Sequence, residues 1–168
     1  SCKEDLTAPM VTTEAVSEVS QYSAVSGGNV TSNGGSEVTD RGVCWATSAN
    51  PTIENSKTSN GAGDGQFVSY MTELTPGTLY YVRAYATNDI GTGYGNEVNF
   101  TTPVVLSATL TTSEVSAITA STAVSGGDVT NDGGGTILAK GVCWNTSTNP
   151  VITDYLTIDG EGTGPFTS

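Results

Sequence analysis

Apolar and polar residues alternate along several short segments of the chain, most clearly in residues 80–87. Every second residue of this segment is uncharged and apolar or aromatic: Tyr80, Val82, Ala84 and Ala86. The residues between them make up the opposite face: Tyr81, Arg83, Tyr85 and Thr87. Side chains of a β-strand point alternately to its two faces, so this period predicts a strand with one face in a core and the other outside.

Similar patterns predict seven short strands in the first hundred residues. We expect them at residues 10–13, 21–31, 42–47, 67–72, 78–87 and 97–101, with a less distinct one at 52–58. Loops rich in glycine and proline separate them, such as Asn50-Pro51 and residues 61–65. No stretch places apolar residues at helical spacing. The sequence therefore predicts an all-β fold of the β-sandwich type.

The chain also repeats itself at an offset of 99 residues. Residues 11–69 align with residues 110–168 without a gap, and 28 of the 59 paired positions are identical. The repeated motifs include Gly42-Val43-Cys44-Trp45, which recurs at residues 141–144. The repeat indicates two copies of one domain. We expect a tether at 1–9, a first domain at 10–102, a short linker at 103–109 and a second domain at 110–168.

The second copy lacks any counterpart of residues 70–102, which hold the last two predicted strands. Burying one large apolar side chain stabilises a protein by roughly 1.5–3 kcal/mol, and a whole domain is stable by only about 5–15 kcal/mol. We therefore expect the incomplete copy not to fold alone. Three explanations stay open: a native chain that continues beyond residue 168, strands donated by a partner or another copy, or a smaller arrangement.

The composition argues against several classes of function. Seventeen acidic residues against five basic ones give a net charge of −12, which disfavours binding to nucleic acid or anionic lipid. Histidine is absent, so no imidazole can act as a base or bind metal. The carboxylates of Asp64 and of Asp159 and Glu161 lie among glycines without the spacing of a calcium loop. We expect no enzyme activity, no metal and no cofactor.

The cysteines and tryptophans of the two copies are expected to be structural. Cys44 and Cys143 are equivalent residues, one in each copy, so neither has a disulfide partner within its own domain. We expect both thiols to be buried as small apolar groups. Trp45 and Trp144 are expected to lie in the cores of the two domains.

Residues 74–88 carry a recognisable pattern, LTPGTLYYVRAYATN. It resembles the corner and following strand of fibronectin type III domains, which belong to the Ig-like sandwiches. The resemblance implies that Tyr80 is the corner tyrosine, with a buried ring and a hydroxyl bonded to upstream backbone. The Gly-Val-Cys-Trp motif followed by Asn-Pro resembles variants of this fold in bacterial cell-surface lipoproteins. The fold alone implies no particular function.

The start of the chain resembles the mature end of a bacterial lipoprotein. Cys2 is followed by Lys-Glu-Asp, which is similar to the short acidic signal of surface-exposed lipoproteins. The resemblance implies that Cys2 carries the lipid and that the protein sits on the outer cell surface, where acyl chains would hold it.

These observations predict a non-catalytic structural or adhesive module of a surface lipoprotein, serving as a stalk or assembly subunit. One alternative is a carbohydrate-binding module that uses the outward residues Tyr81, Arg83 and Tyr85. A second alternative is a self-assembling fibre subunit, in which the unfinished second domain is completed by another copy or a protein partner.

Overall fold

The computed structural model describes residues 5–168, and within that range it contains no helix. It follows that no helix in this range is long and apolar enough to cross a membrane. The chain divides into two compact units, Ser1–Val104 and Val105–Ser168, and the division falls inside the predicted linker 103–109. The predicted all-β class is confirmed. Cys2, the predicted lipid attachment site, lies outside the described residues.

The described residues of unit 1 form a sandwich of two antiparallel sheets. Its strands are β1 (Met10–Thr13), β2 (Ala24–Ser32), β3 (Asp40–Ala46), β4 (Ser56–Lys57), β5 (Gly65–Met71), β6 (Leu79–Thr87), β7 (Thr92–Tyr94) and β8 (Val98–Thr101). One sheet has the order β1-β2-β5 and the other has the order β4-β3-β6-β7, with β8 also paired to β6. Two sheets packed in this way bury one face of each strand in a common core.

The strand ends differ from the predicted ones where side chains reshape the backbone. β2 begins at Ala24 instead of residue 21, because the Ser20 hydroxyl accepts the backbone N–H of Ser23 and closes a turn. β7 was not predicted. Its central Gly93 lies so close to Pro9 that a Cβ atom would stand 1.8 Å from the Pro9 carbonyl oxygen. A three-residue strand built around an obligatory glycine has too few side chains to show a pattern.

The predicted inward face of β6 lies in the core of unit 1. Val82, Ala84 and Ala86 are fully buried, and they belong to one apolar cluster with Tyr80 and Val43. The Tyr80 hydroxyl accepts the backbone N–H of Thr75 at 3.0 Å, as the corner motif implied. Trp45 is half-buried and packs against this cluster, and Cys44 is fully buried.

Tyr85 contradicts the expectation that its side chain is exposed on the outer face of β6. Only 1% of its surface is exposed. Tyr85 pairs with Gly42 across the β3–β6 ladder, and the chain following β4 covers this pair, so the Thr58 carbonyl oxygen lies within reach of the Tyr85 hydroxyl. Because Gly42 has no side chain, the Tyr85 ring has room to lie against it, and the segment after β4 then covers the ring.

Unit 2 contains counterparts of the first five strands of unit 1. They are β9 (Thr109–Thr112), β10 (Gly126–Asn131), β11 (Cys143–Trp144), β12 (Tyr155–Leu156) and β13 (Gly164–Thr167). β9, β10 and β13 form one sheet in the order β13-β10-β9, and β11 pairs with β12 in a second. Val129 is the one buried aliphatic side chain among residues 105–168.

Two further expectations fail in unit 2. Trp144 is 48% exposed and stacks on Tyr155 with ring centroids 6.0 Å apart, so it is not a core residue. Cys143 is half-buried, with its Sγ 3.5 Å from the Pro150 carbonyl oxygen. Both residues repeat the sequence context of Trp45 and Cys44. Their different exposure arises because no strand in unit 2 occupies the position that β6 holds in unit 1.

Candidate functional site

The predicted ligand face of unit 1 is largely closed by its own contacts. Tyr81 and Arg83 are half-buried. Arg83 lies over the ring of Tyr94, 4.6 Å from its centroid, and donates from Nε to the Gly95 carbonyl oxygen at 3.1 Å. Together with the buried Tyr85, these contacts leave no continuous aromatic stripe on this face. The three predicted residues share a face, but two of them are engaged within the sandwich.

Burial also raises the pKa values of two side chains in unit 1, Tyr85 and Cys44. Burial and a hydrogen bond to Asp40 raise the pKa of the Tyr85 hydroxyl well above its usual range, so it stays a donor. Burial raises the pKa of the Cys44 thiol to about 11, and nearby Arg83 only partly opposes this rise. A thiol that remains protonated at neutral pH is a poor nucleophile and a poor metal ligand.

The acidic loops are occupied by local hydrogen bonds. Asp159 accepts hydrogen bonds from Ser168 and Thr157, which lower the pKa of its carboxyl group. The corresponding contacts in unit 1 join Thr58, Asn60 and Ser69. In unit 1 this contact joins the segment after β4 to Ser69 of β5, and so links the two sheets. The same contact recurs in unit 2. In residues 5–168, no group of three or more metal-binding side chains is brought together.

The surface that distinguishes the chain is a face of unit 2, which we call the open face. It comprises Val115, Val124, Val142 and Trp144, together with Thr157. A groove of about 520 Å³ lies along it, and its lining also includes residues 121–125.

Several residues that are buried in unit 1 have exposed counterparts in unit 2. Val11 is 8% exposed, whereas its counterpart Leu110 is 56% exposed. Ala24 is fully buried, and its counterpart Ala123 is exposed. The sequences at these places are the same or similar, so the difference comes from the missing cover. Exposed contiguous apolar surface of this kind marks contact sites.

The strand at the open face also has an unpaired edge. In unit 1, β3 pairs with β4 along one edge and with β6 along the other, over all seven of its residues. In unit 2, β11 pairs with β12 and shrinks to two residues. Its second edge has no strand partner within residues 105–168. Unpaired edges present backbone donors and acceptors to another polypeptide.

One carbonyl group beside β11, on the side of β12, has a counterpart in unit 1 that accepts a side-chain hydroxyl. In unit 1 the Thr58 carbonyl oxygen lies over Gly42 and accepts the Tyr85 hydroxyl at 2.6 Å. In unit 2 the Thr157 carbonyl oxygen lies over Gly141 in the same way, 2.1 Å from where a Cβ would stand. Within the described residues, no hydroxyl reaches the Thr157 oxygen. Residues 105–168 thus hold an apolar groove and an unpaired edge of β11, and the Thr157 acceptor lies on the opposite face of that strand, over Gly141.

Only part of this surface could be predicted from the sequence. The missing counterpart of residues 70–102 predicts an uncovered sheet, but it does not show which carbonyl is left unpaired. That acceptor depends on how the chain after β12 crosses Gly141, which is a tertiary contact.

No protein-family model and no curated protein matches this sequence. Parts of the chain resemble solved structures. The sensor domain of the anti-sigma factor RsgI4 of Pseudobacteroides cellulosolvens is 14% identical over 58% of this chain and 97% of its own, with a TM-score of 0.44. The third fibronectin III domain of the human KIAA0343 protein is 22% identical over 62% of this chain and 89% of its own, with a TM-score of 0.43.

Titin domains are also similar, with 22% identity over 58% of this chain and 32% of the titin chain, and a TM-score of 0.40. These likenesses concern the fold alone. The sheet order of unit 1 and its corner tyrosine define the architecture: the chain is an all-β protein of the Ig and fibronectin III-like sandwich type.

Proposed function

We propose that this chain is a non-catalytic structural module of a bacterial cell-surface lipoprotein, acting as a stalk or assembly subunit that contacts other polypeptides. The tandem repeat carries this proposal, because residues 11–69 recur in residues 110–168 with 28 of the 59 paired positions identical. Repeated domains space or present other groups along a chain, a role that needs no catalysis. Two of the three side chains predicted to bind a ligand in unit 1, Arg83 and Tyr85, are instead engaged inside their own sandwich.

The location at the cell surface rests on the first residues of the chain. Cys2 and the following Lys-Glu-Asp resemble the start of a mature surface lipoprotein. Metabolic labelling with an alkyne fatty acid in a bacterial host tests this, using the gene with its own upstream sequence. We expect labelled protein in the membrane fraction, and no label after Cys2→Ala. Equal labelling of the Cys2→Ala protein would contradict the anchor.

A carbohydrate-binding function is the second candidate, and one observation favours it. Trp144 and Tyr155 form an exposed stacked pair, and exposed aromatic rings can pack against sugar rings. A saccharide array with the full 168-residue chain separates the two candidates. The structural module gives no response above background. A response that is lost in the Trp144→Ala chain would overturn the structural assignment.

Sedimentation velocity and electron microscopy of the same chain distinguish the kinds of structural module. A stalk remains monomeric over a wide concentration range. Concentration-dependent filaments would instead identify a self-assembling fibre subunit.

A further inference from the structure

We infer that Asn33 is a site of spontaneous deamidation in the folded protein, whereas Asn60, which has the same neighbours in sequence, is protected from this reaction. Residues 31–34 and 58–61 both read Thr-Ser-Asn-Gly. Two identical segments of one chain have the same intrinsic reactivity, so a difference between them in the native protein comes from tertiary contacts. The inference does not depend on the proposed function, because it concerns the covalent chemistry of the chain.

The reaction needs only water and the chain itself. The backbone nitrogen of the glycine that follows forms a bond to the side-chain carbonyl carbon of asparagine, while its proton passes to a base in the solvent. The bond from that carbon to Nδ2 then breaks, and the nitrogen leaves as ammonia with a proton from water. Water opens the resulting succinimide at either carbonyl, which gives aspartate or isoaspartate. Glycine favours the first step, because it has no side chain to shield its nitrogen.

The turn at Asn33 holds its side chain close to the attacking nitrogen. Asn33 Oδ1 accepts the backbone N–H of Gly35 at 2.9 Å, and the Gly34 nitrogen lies within the ring of atoms that this hydrogen bond closes. As the nitrogen attacks, negative charge develops on Oδ1, and the Gly35 N–H is already placed to stabilise it. The Gly34 N–H itself donates to Ser32 Oγ at 3.2 Å in an exposed position, where a base in the solvent can take its proton.

The leaving nitrogen of Asn33 has only a weak partner. Its Nδ2 lies 3.4 Å from an oxygen of the Asp64 carboxylate, and this contact is exposed to water. A long, exposed hydrogen bond contributes little to holding a group in place. The geometry of Asn33 therefore leaves the reaction open while the protein is folded.

The amide of Asn60 is held at both of its polar atoms. Its Nδ2 donates to the Val68 carbonyl oxygen at 2.7 Å, and its Oδ1 accepts the hydroxyls of Thr58 at 2.9 Å and Ser69 at 2.7 Å. The side chain must give up these bonds to turn towards the Gly61 nitrogen. Breaking them costs free energy, so only a small fraction of the folded molecules can react at this residue.

Unit 2 shows that the fold accepts the aspartate product. The position of Asn33 is held there by Asp132, which is also followed by two glycines. Asp132 Oδ1 accepts the backbone N–H of Gly134 at 2.9 Å, which is the same turn as the one at Asn33. An aspartate formed at residue 33 can therefore keep the turn, although it would face Asp64 with a like charge instead of an amide donor.

The test is incubation of the full chain in mildly alkaline buffer, followed by digestion and mass spectrometry. Exchange of an amide for a carboxyl group changes the peptide mass, and fragment ions assign the change to Asn33 or to Asn60. We expect Asn33 to react roughly tenfold faster than Asn60, the equivalent of one or two net hydrogen bonds. In concentrated urea the two residues should react at similar rates, because their neighbours in sequence are identical.

Two variants test the contacts directly. Ser69→Ala removes a donor to Asn60 Oδ1, so the rate at Asn60 should rise while the rate at Asn33 in the same molecules stays the same. Asn33 thus serves as the internal control for any general loss of stability. In the Asn33→Ser chain the early release of ammonia should disappear.

Three results would overturn the inference. They are equal rates at Asn33 and Asn60 in the folded chain, a faster reaction at Asn60, and no reaction at Asn33 during the time in which both residues react in urea. None of these results bears on the proposed structural module, which the fatty-acid labelling and the saccharide array test separately.

Discussion

The hydroxyl of Tyr85 donates a 2.6 Å hydrogen bond to the carbonyl oxygen of Thr58, and this contact closes the outer face of the larger sheet in unit 1. The two residues come from β6 and from the segment after β4, which are 27 positions apart in sequence. The repeat places Thr157 at the equivalent position of unit 2, and no hydroxyl within the described residues reaches its carbonyl oxygen.

Tyr85→Phe should destabilise unit 1 by about 1–3 kcal/mol, because the Thr58 oxygen and the Asp40 carboxylate, both half-buried, share the single proton of the Tyr85 hydroxyl and would lose it. Urea unfolding followed by Trp45 emission measures the loss. Tyr81→Phe is the matched control on the same strand, where the ring is only half-buried. Equal stability of the two variants would contradict the role given to the Tyr85 hydroxyl.

The stability of unit 1 should fall in alkaline solution. The pKa of Tyr85 is raised in the folded state above its ordinary value of 10.0. The stabilisation from this residue is therefore complete below pH 10 and is lost as the pH rises above it, since the unfolded chain releases its proton first. Urea midpoints between pH 8 and 11 should show this decline, and Tyr85→Phe should flatten it.

Cys44 contributes to the same decline, because burial raises its pKa from 9.0 to about 11. The comparison is therefore made in chains that carry Cys44→Ala. A decline of the same size with and without the Tyr85 hydroxyl would refute the assignment to Tyr85.

Gly42→Ala should destabilise unit 1 by about 1–3 kcal/mol, the usual range for overpacking. The added Cβ would stand 2.3 Å from the Thr58 carbonyl oxygen, so the covering segment must move away. Gly91→Ala is the matched control, because its Cβ would meet only Ala8 at 3.9 Å. Unfolding of the two variants at the same urea concentration would contradict this prediction.

The Cys44 thiol should react with a disulfide reagent at pH 8 much more slowly than an ordinary thiol, because it is fully buried and burial raises its pKa to about 11, which keeps it protonated. Cys143, which is half-buried, should react faster. The measurement uses a Cys2→Ser chain, with mass spectrometry to identify the labelled residue. Labelling of both thiols at one rate would show that Cys44 is not protected.

The two units should unfold separately, with unit 2 unfolding at the lower denaturant concentration. Unit 1 has a continuous cluster of buried apolar side chains, whereas Val129 is the buried aliphatic residue of unit 2. Trp45→Phe and Trp144→Phe chains let each unit be followed by its remaining tryptophan. Coincident transitions would indicate that the units share their stability.

Much of the fold follows from local patterns in the sequence. β1 occupies the predicted residues 10–13, and the alternation Tyr80, Val82, Ala84, Ala86 identifies the buried face of β6. The repeat aligns residues 110–168 with the part of unit 1 that holds its first five strands. These features depend on the period of side chains along one strand and on the identity of aligned residues, and both are present in a linear sequence.

Burial of a given side chain was decided by contacts between distant segments. Tyr85 lies on the face of β6 opposite the core residues, as the alternation predicts. It is nevertheless buried, because the segment after β4 crosses over Gly42. Trp45 and Trp144 stand in the same four-residue motif, but only Trp45 is covered by a neighbouring strand.

The sequence by itself determined the sandwich architecture, the duplication and the inward face of its main strand, because each is encoded in short-range periodicity. The tertiary structure alone decided which faces are closed and which acceptor is left free, because covering a surface requires a partner strand that no local pattern specifies.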